Sequence, residues 1–336
     1  MDAQTIFVTG STGFIGSHVI GELLNKGYRV RCAVRPGPKA DFFKSYYSSK
    51  FDESRFQVID IPDIASSGLE AFKDVQAIIH LASPPGHASA EEIYKGSVDG
   101  TLNIVKHAER AGVQRIIITG MIQTGKLEQH LSSREEVIRC KDPFIVYESC
   151  KVISQKAVWE WATCHPHLDI TYISIPLTYG PFASSFYLPK PAFPGVNRFL
   201  YQLLVPNGSY PFTGRYVDVR DVAKVHVSAL RSPLASSLGE RKEVTFVSPH
   251  VIDLSCAVSL LAEQRPLLKG RLITGHAPVL KEEQLKCDYG RIEMILGFRK
   301  DEFTNFEKTL LDMIDNFVEI EARWIEEGYV VEIPHY

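Results

Sequence analysis

Several things that would point to other chemistries are missing from this 336-residue chain. Its six cysteines, Cys32, Cys140, Cys150, Cys164, Cys256 and Cys287, include no C-x-x-C pair, and no His or Cys stands at a metal-ligand spacing. Neither a structural zinc nor a disulfide framework is therefore expected, and no metal is called for. The charges nearly balance, 37 Lys and Arg against 40 Asp and Glu, without any basic block, which argues against nucleic acid as a partner. Apolar runs such as 75–82 are strand-sized, far below the roughly 20 residues of a membrane span. The first apolar strand starts by Thr5, so no secretory or transit leader is expected and a reduced, cytoplasmic enzyme is the plain expectation. No internal repeat or low-complexity tract is visible. What remains is a chain with 45% hydrophobic residues, enough to bury a large core.

The richest stretch lies near the start. An apolar strand, Ile6 to Val8, runs into Gly10, Gly13 and Gly16, and an amphipathic segment follows at once with Phe14, Ile15, Val19, Ile20, Leu23 and Leu24. A glycine at the first place permits a tight turn, and one at the second lets the backbone approach a pyrophosphate. The third lets the helix sit close on its strand, so that the free amides of the first helical turn face phosphate oxygens. Strand, turn and helix fall in the order that dinucleotide binding needs.

At the end of the next strand, Arg29 to Val34, an NAD site usually carries an acidic residue for the ribose 2′-hydroxyl. This chain has Arg35 there, with Lys39 close behind. The fixed fork of guanidinium donors matches phosphate oxygens, so the expected cofactor is NADP(H).

Strands are expected at 5–9, 29–34, 56–60, 76–82, 114–119 and 170–175, and helices at 14–26, 68–73, 90–111 and 145–164. Such alternation calls for right-handed parallel crossovers and a sheet covered on both faces, the α/β doubly wound Rossmann class. After Pro176 prolines punctuate the chain, and a helical apolar period returns over 303–327. Residues 1–175 are expected to form the nucleotide-binding domain. Residues 176–336 are expected to form a smaller substrate-binding region interleaved with it.

Tyr147 and Lys151 stand four apart on the expected helix and so share a face. A free tyrosine phenol titrates near pH 10, and a neighbouring ammonium favours its ionised form, which suits such a pair to proton transfer. His80 ends an apolar strand and reads as structural. His87, His130, His165 and His167 show no ligand spacing, and Asp218 and Asp221 read as caps or tethers.

Taken together, Thr9-Gly10-x-x-Gly13-x-x-Gly16, Ala33-Val34-Arg35, the run from His80 to Pro84, Val98 to Asn103, Tyr147-x-x-x-Lys151, Ile175 to Pro181, Tyr216 to Val222 and Leu296 to Phe298 resemble an extended short-chain dehydrogenase/reductase. The closest likeness is to the dihydroflavonol-4-reductase-like branch of the epimerase/dehydratase group, over nearly the whole chain. The resemblance implies that Gly10, Ser11, Thr12, Gly13, Phe14, Ile15 and Gly16 hold the pyrophosphate and that Arg35 and Lys39 hold the 2′-phosphate. It further implies that Asp60 and Ile61 meet the adenine, that Leu81, Ala82 and Ser83 line the ribose side, and that Pro176, Leu177 and Thr178 flank the nicotinamide. Tyr147 would give a proton to a carbonyl oxygen, while Lys151 would hold the nicotinamide ribose and tune the Tyr. Members of this group often pair through the helices around 95–110 and 147–163, so a homodimer is expected.

One departure stands out. The group's catalytic serine follows the buried strand, but here that run is Thr119-Gly120-Met121-Ile122-Gln123-Thr124, with Met121 in the serine's place. A thioether cannot donate a hydrogen bond. Thr124 is the candidate replacement donor, and Ser149 faces away from Tyr147. Three readings stay open: an NADPH-dependent reductase of a small, largely apolar or aromatic ketone or aldehyde; a non-redox isomerase, dehydratase or cyclase using the same pocket; and an NADP(H)-sensing binding protein.

Overall fold

The computed structural model describes residues 4–65, 68–84, 88–122, 131–210, 215–278 and 287–333. Nine strands occur among them: β1 (Thr5–Thr9), β2 (Arg29–Val34), β3 (Phe56–Asp60), β4 (Ala77–His80), β5 (Arg115–Met121), β6 (Asp169–Ile175), β7 (Leu177–Tyr179), β8 (Tyr216–Asp218) and β9 (Lys242–Thr245). Seven of them make one parallel sheet in the order β3-β2-β1-β4-β5-β6-β9, while β7 and β8 pair only with each other. The chain direction of this order reverses between β1 and β4. In open parallel sheets the crevice at such a reversal, beyond the carboxyl ends of the strands, is where ligands sit.

The central strands β1, β4, β5 and β6 are largely buried on both faces, as their continuous apolar character requires, while the edge strand β3 leaves Gln57 and Asp60 exposed. Ile6, Val8, Ile79, Ile117 and Ile173 pack with Val19, Ile20 and Leu23 of α1 (Phe14–Asn25) and with Val222 and Val225 of the helix Val219–Ser228. Their neighbours Phe7, Ile78, Ile116, Ile118 and Tyr172 point the other way, onto Ile104, Val105, Val158 and Trp159. A period of two along each strand thus feeds two separate cores. The helices before residue 175 are α1, α2 (Pro38–Ser48), α3 (Ala90–Tyr94), α4 (Gly100–Arg110), α5 (Arg134–Arg139) and α6 (Pro143–Cys164).

Three local expectations need correction. The helix expected over 90–111 is α3, a π-helical turn over Lys95–Asp99, and α4. The segment 68–73 is a short 3₁₀ turn, Leu69–Phe72. α2 was not expected at all, because Pro36, Gly37 and Pro38 look like a loop, although Pro at a first helical position favours helix initiation.

Past residue 175 the chain returns to the sheet. β9 lies beside β6, where buried Lys242 places its ammonium 2.6 Å from Asp169, a residue also held by Arg115 at 2.8 Å. A further core forms from Tyr179, Phe182, Phe193, Leu200 and Tyr201 with Leu310, Phe317 and Trp324 of the terminal helix Phe306–Glu326. Most of the aromatic stretch from Phe182 onward is therefore core rather than open pocket wall. No helix among the described residues is long and apolar enough to cross a membrane.

Candidate active site

The turn after β1 depends on its glycines. Gly10 has φ +68°, a conformation that L side chains rarely adopt, and a Cβ there would lie 2.8 Å from the Ala82 amide nitrogen. A Cβ on Gly16 would fall 2.1 Å from the Gly10 carbonyl oxygen, so the first turn of α1 can lie this close to β1 only without one. Gly13 donates to that same carbonyl at 2.9 Å. α1 starts after Gly13 with no side-chain cap and no acidic residue in its first turn, whereas α3, α5 and α6 are capped by Ser89, Ser133 and Asp142. Its first amides are left to an anion. Ser11 turns inward and donates to Val8 O at 2.8 Å, so only its backbone can serve a ligand. Gly16→Ala is expected to cost about 1–3 kcal/mol of stability through backbone displacement and to weaken dinucleotide binding with it; thermal melting and cofactor titration check both.

His80 organises the neighbouring strand end. The Thr101 hydroxyl donates to Ser97 O at 2.7 Å, so it accepts from His80 Nε2 at 2.9 Å. The Nδ1 of His80 must then be the acceptor, taking the Thr9 hydroxyl at 2.8 Å. Thr9 Oγ1 in turn accepts the amides of Leu81 and Ala82, each at 3.2 Å. Burial, and then the positive charge of Lys151, push the His80 pKa down to about 3, which keeps the imidazole neutral and the relay intact. His80 is structural, and the π-helical turn is what brings Ser97 and its hydroxyl to within 3.1 Å of Ser83.

At the end of β2, Arg35 and Lys39 are both exposed, and neither has an acidic partner among the described residues. The Lys39 ammonium is disfavoured by desolvation first and by the Arg35 charge second. Asp60 does not neutralise them, since it is held by Lys44 at 2.8 Å. Ile61 is buried and donates to Val34 O at 2.8 Å. Two cations that no described residue neutralises, beside a glycine cradle and an uncapped helix start, fit a dinucleotide carrying an extra phosphate on its adenosine ribose.

Tyr147 and Lys151 lie on one face of α6, with Lys151 Nζ 5.7 Å from the centre of the Tyr147 ring. The positive charge of Lys151 is the smaller of the two causes that lower the His80 pKa. Met121 is the last residue of β5, paired with Ile175 and half-buried. Beside it, a Cβ on Gly120 would meet the Tyr172 ring at 2.2 Å and Ser174 Oγ at 2.9 Å. Tyr172 thus fills the space in which a side chain at 120 would stand, a reason for the departure there that the sequence pattern did not signal. Thr119 donates to His226 Nε2 at 2.8 Å, because Nδ1 is committed to Val222 O; burial holds this imidazole neutral, with a pKa of about 4. Ser149 accepts from the Leu131 amide at 3.1 Å and is buried, in keeping with its facing away from Tyr147. Thr124 lies outside the described residues, as do His87 and His130.

Beyond residue 175, Pro176 precedes β7, which carries Leu177 and Thr178. Asp218 caps the helix Val219–Ser228 and accepts from Thr309, while Asp221 accepts the Thr304 amide at 2.7 Å, so both act as tethers. A cleft of about 260 Å³ opens between α1, Tyr46 and Tyr47 of α2, and Ser185; another of about 460 Å³ lies around His250, Cys256 and Phe306. The described residues contain no cluster of His, Cys, Asp and Glu able to hold a metal.

Residues 6–244 match the NAD dependent epimerase/dehydratase family. An NADPH-dependent methylglyoxal reductase of Saccharomyces cerevisiae is 25% identical over 359 residues, covering 95% of this chain and all of that protein. A ketoreductase of Penicillium rubens is 28% identical over 255 residues, covering 69% of this chain and 73% of that one. Among solved structures, the Gre2 protein of Candida albicans in complex with NADPH has a TM-score of 0.78 at 23% identity, covering 94% of this chain and 99% of that chain. The sheet order, the glycine cradle and the extent of the match lead to one conclusion: the chain belongs to the NAD-dependent epimerase/dehydratase family.

Proposed function

We propose that the protein is an NADPH-dependent reductase of a small, largely apolar or aromatic ketone or aldehyde. The observation that carries this reading is the pair of cations, Arg35 and Lys39, at the end of β2, where an NAD site would hold a carboxylate and where no described residue neutralises them. The relatives named as an NADPH-dependent methylglyoxal reductase and a ketoreductase support it. In this reading the backbone from Gly10 to Gly16 holds the pyrophosphate, with Ser11, Thr12, Phe14 and Ile15 contributing amides. Arg35 and Lys39 hold the 2′-phosphate, Asp60 and Ile61 border the adenine, Leu81, Ala82 and Ser83 border the ribose, and Pro176 through Thr178 border the nicotinamide. When bound, NADPH would supply the reducing equivalents as hydride. Tyr147 gives its phenolic proton to the carbonyl oxygen and takes one back from solvent, and Lys151 stabilises the transient phenolate. The region beyond residue 175, apart from its return to the sheet, supplies the substrate side. Association of two copies through α4 and α6 completes the reading, and sedimentation of the protein checks it.

The first experiment is a titration with NADPH and NADH, followed by absorbance at the nicotinamide band with a panel of aromatic and aliphatic carbonyls. Arg35→Ala is expected to weaken NADPH about 10- to 100-fold while leaving NADH nearly unchanged, from the loss of charge-assisted hydrogen bonds. Equal weakening of both cofactors would remove the 2′-phosphate assignment. A second reading, a non-redox isomerase, dehydratase or cyclase, is favoured by Met121 alone. It predicts tight NADPH binding with no oxidation on any carbonyl.

A further inference from the structure

α2 is fastened to the segment after Pro181 at three successive places. Lys39 Nζ lies over the Phe186 ring, 5.4 Å from its centre. Phe42 meets Tyr187 edge to face at 5.8 Å, and the Tyr47 hydroxyl donates to Ser185 Oγ at 3.1 Å. The same segment also touches the start of α1: Phe14 packs edge-on against Phe182 at 5.4 Å and Phe186 at 6.4 Å. The Phe186 ring is itself immobilised. It is 7% exposed and stacked on Phe182, with centres 5.2 Å apart and planes 15° apart. A fixed aromatic face thus comes from the part of the chain that follows the sheet, and it meets a flexible cation that belongs to the nucleotide-binding part.

A lysine ammonium over an aromatic face is attracted by the negative centre of the ring. Holding it there removes rotamer freedom before any ligand arrives, so less entropy is lost when a phosphate binds. The ammonium also has a reason to welcome an anion, since desolvation and the nearby Arg35 both oppose its charge. We propose that Phe186 is a specificity-determining residue for the adenosine 2′-phosphate, positioning the Lys39 ammonium beside Arg35 from across the boundary between the two parts of the chain. The proposal rests on the assignment of Arg35 and Lys39 given above and adds to it a residue that does not touch the β2 end in sequence. Discrimination between the two nicotinamide cofactors is then shared by both halves, and a change anywhere in 182–187 that shifts this ring alters it.

The test uses the full chain and two probes, adenosine 2′,5′-bisphosphate and adenosine 5′-monophosphate, titrated by calorimetry without any turnover. The native protein is expected to prefer the bisphosphate. Phe186→Leu should cut that preference about 3- to 10-fold with monophosphate affinity unchanged, and should have no further effect in a Lys39→Met background. Because Phe186 packs in a core, a trifluorinated phenylalanine at 186 gives a second reading: it keeps the shape of the ring, drains its face of negative charge, and should also lower the preference. An unchanged preference in the fluorinated protein, or a Phe186→Leu effect that persists undiminished with Lys39→Met, overturns the proposal. Arg35→Ala separates this from failure of the underlying assignment. If that variant leaves the preference intact, the 2′-phosphate site lies elsewhere; if it collapses the preference while ring changes are silent, only the role of Phe186 fails.

Discussion

Tyr147→Phe is expected to lower carbonyl-dependent NADPH oxidation by about 10²–10⁴-fold, the usual contribution of a positioned general acid, while NADPH affinity stays within about threefold. Phenylalanine keeps the ring that faces Lys151 and removes only the proton donor. Tyr147 is half-buried on a long helix whose interior residues Val146, Cys150 and Val158 carry the packing, so the loss should appear in turnover and not in folding. Lys151→Met gives the contrasting pattern. In the proposed site Lys151 also holds the nicotinamide ribose, so its removal should weaken cofactor binding and slow turnover together. Stopped-flow measurement of the single-turnover rate, with binding followed by protein fluorescence, reads both quantities. Turnover retained in Tyr147→Phe would mean that another acid serves the carbonyl, and the catalytic assignment of the α6 pair would fall.

The sheet was largely legible in the sequence because its central strands read as short apolar runs and its outer ones as alternating runs, and six of the seven sheet strands lie in the segments expected from those patterns. β9 escaped because Lys242-Glu243-Val244-Thr245 is polar in pattern; its lysine is buried because Asp169, on the adjacent strand, and Ser232 and Pro233 receive its ammonium. Pairing of that kind is non-local and leaves no periodic trace. α2 escaped for a different reason, since its prolines look like loop until the first-turn position is known. The glycine cradle and the Tyr–Lys spacing are local patterns, and they could be read directly. The departure at 120 and 121 could be seen from sequence, but the constraint at 120 could not, because the space for a side chain there is taken by the ring of Tyr172, 52 residues downstream and on the neighbouring strand. Likewise the hydroxyl–imidazole relay from Thr9 through His80 to Thr101 links three elements and depends on a π-helical turn that no apolar period announces. The place of His80 at the end of an apolar strand suggests a structural part, but its work of fixing the Leu81 and Ala82 amides through Thr9 emerges only from the bond directions.

The second large effect is expected at position 121, and the two neighbouring positions should answer differently. If Met121 stands where the reacting oxygen would otherwise find a hydroxyl, Met121→Ser restores a donor and should raise turnover on the order of 10²-fold, the converse of the roughly 2.7–4 kcal/mol lost when one such donor is removed. The site can accept the change: Met121 ends β5, is half-buried, and gives way to a smaller side chain. Gly120→Ser offers the same hydroxyl one residue earlier and should fail, because its Cβ would enter the Tyr172 ring at 2.2 Å and force apart two paired strands. Its expected signature is a lowered melting temperature without any gain in rate. Thr124→Val completes the set. A large fall in rate there, with Met121→Ser silent, would assign the missing donor to Thr124 and show that the enzyme had already replaced its serine. Silence of both would place neither residue at the carbonyl oxygen, and would leave the oxyanion to Tyr147 alone. A rise in Met121→Ser where the native protein shows no turnover would be the most informative result: it would mean that the fold retains a complete reductase site apart from one hydroxyl, and that the methionine is what turns the native protein away from carbonyl reduction.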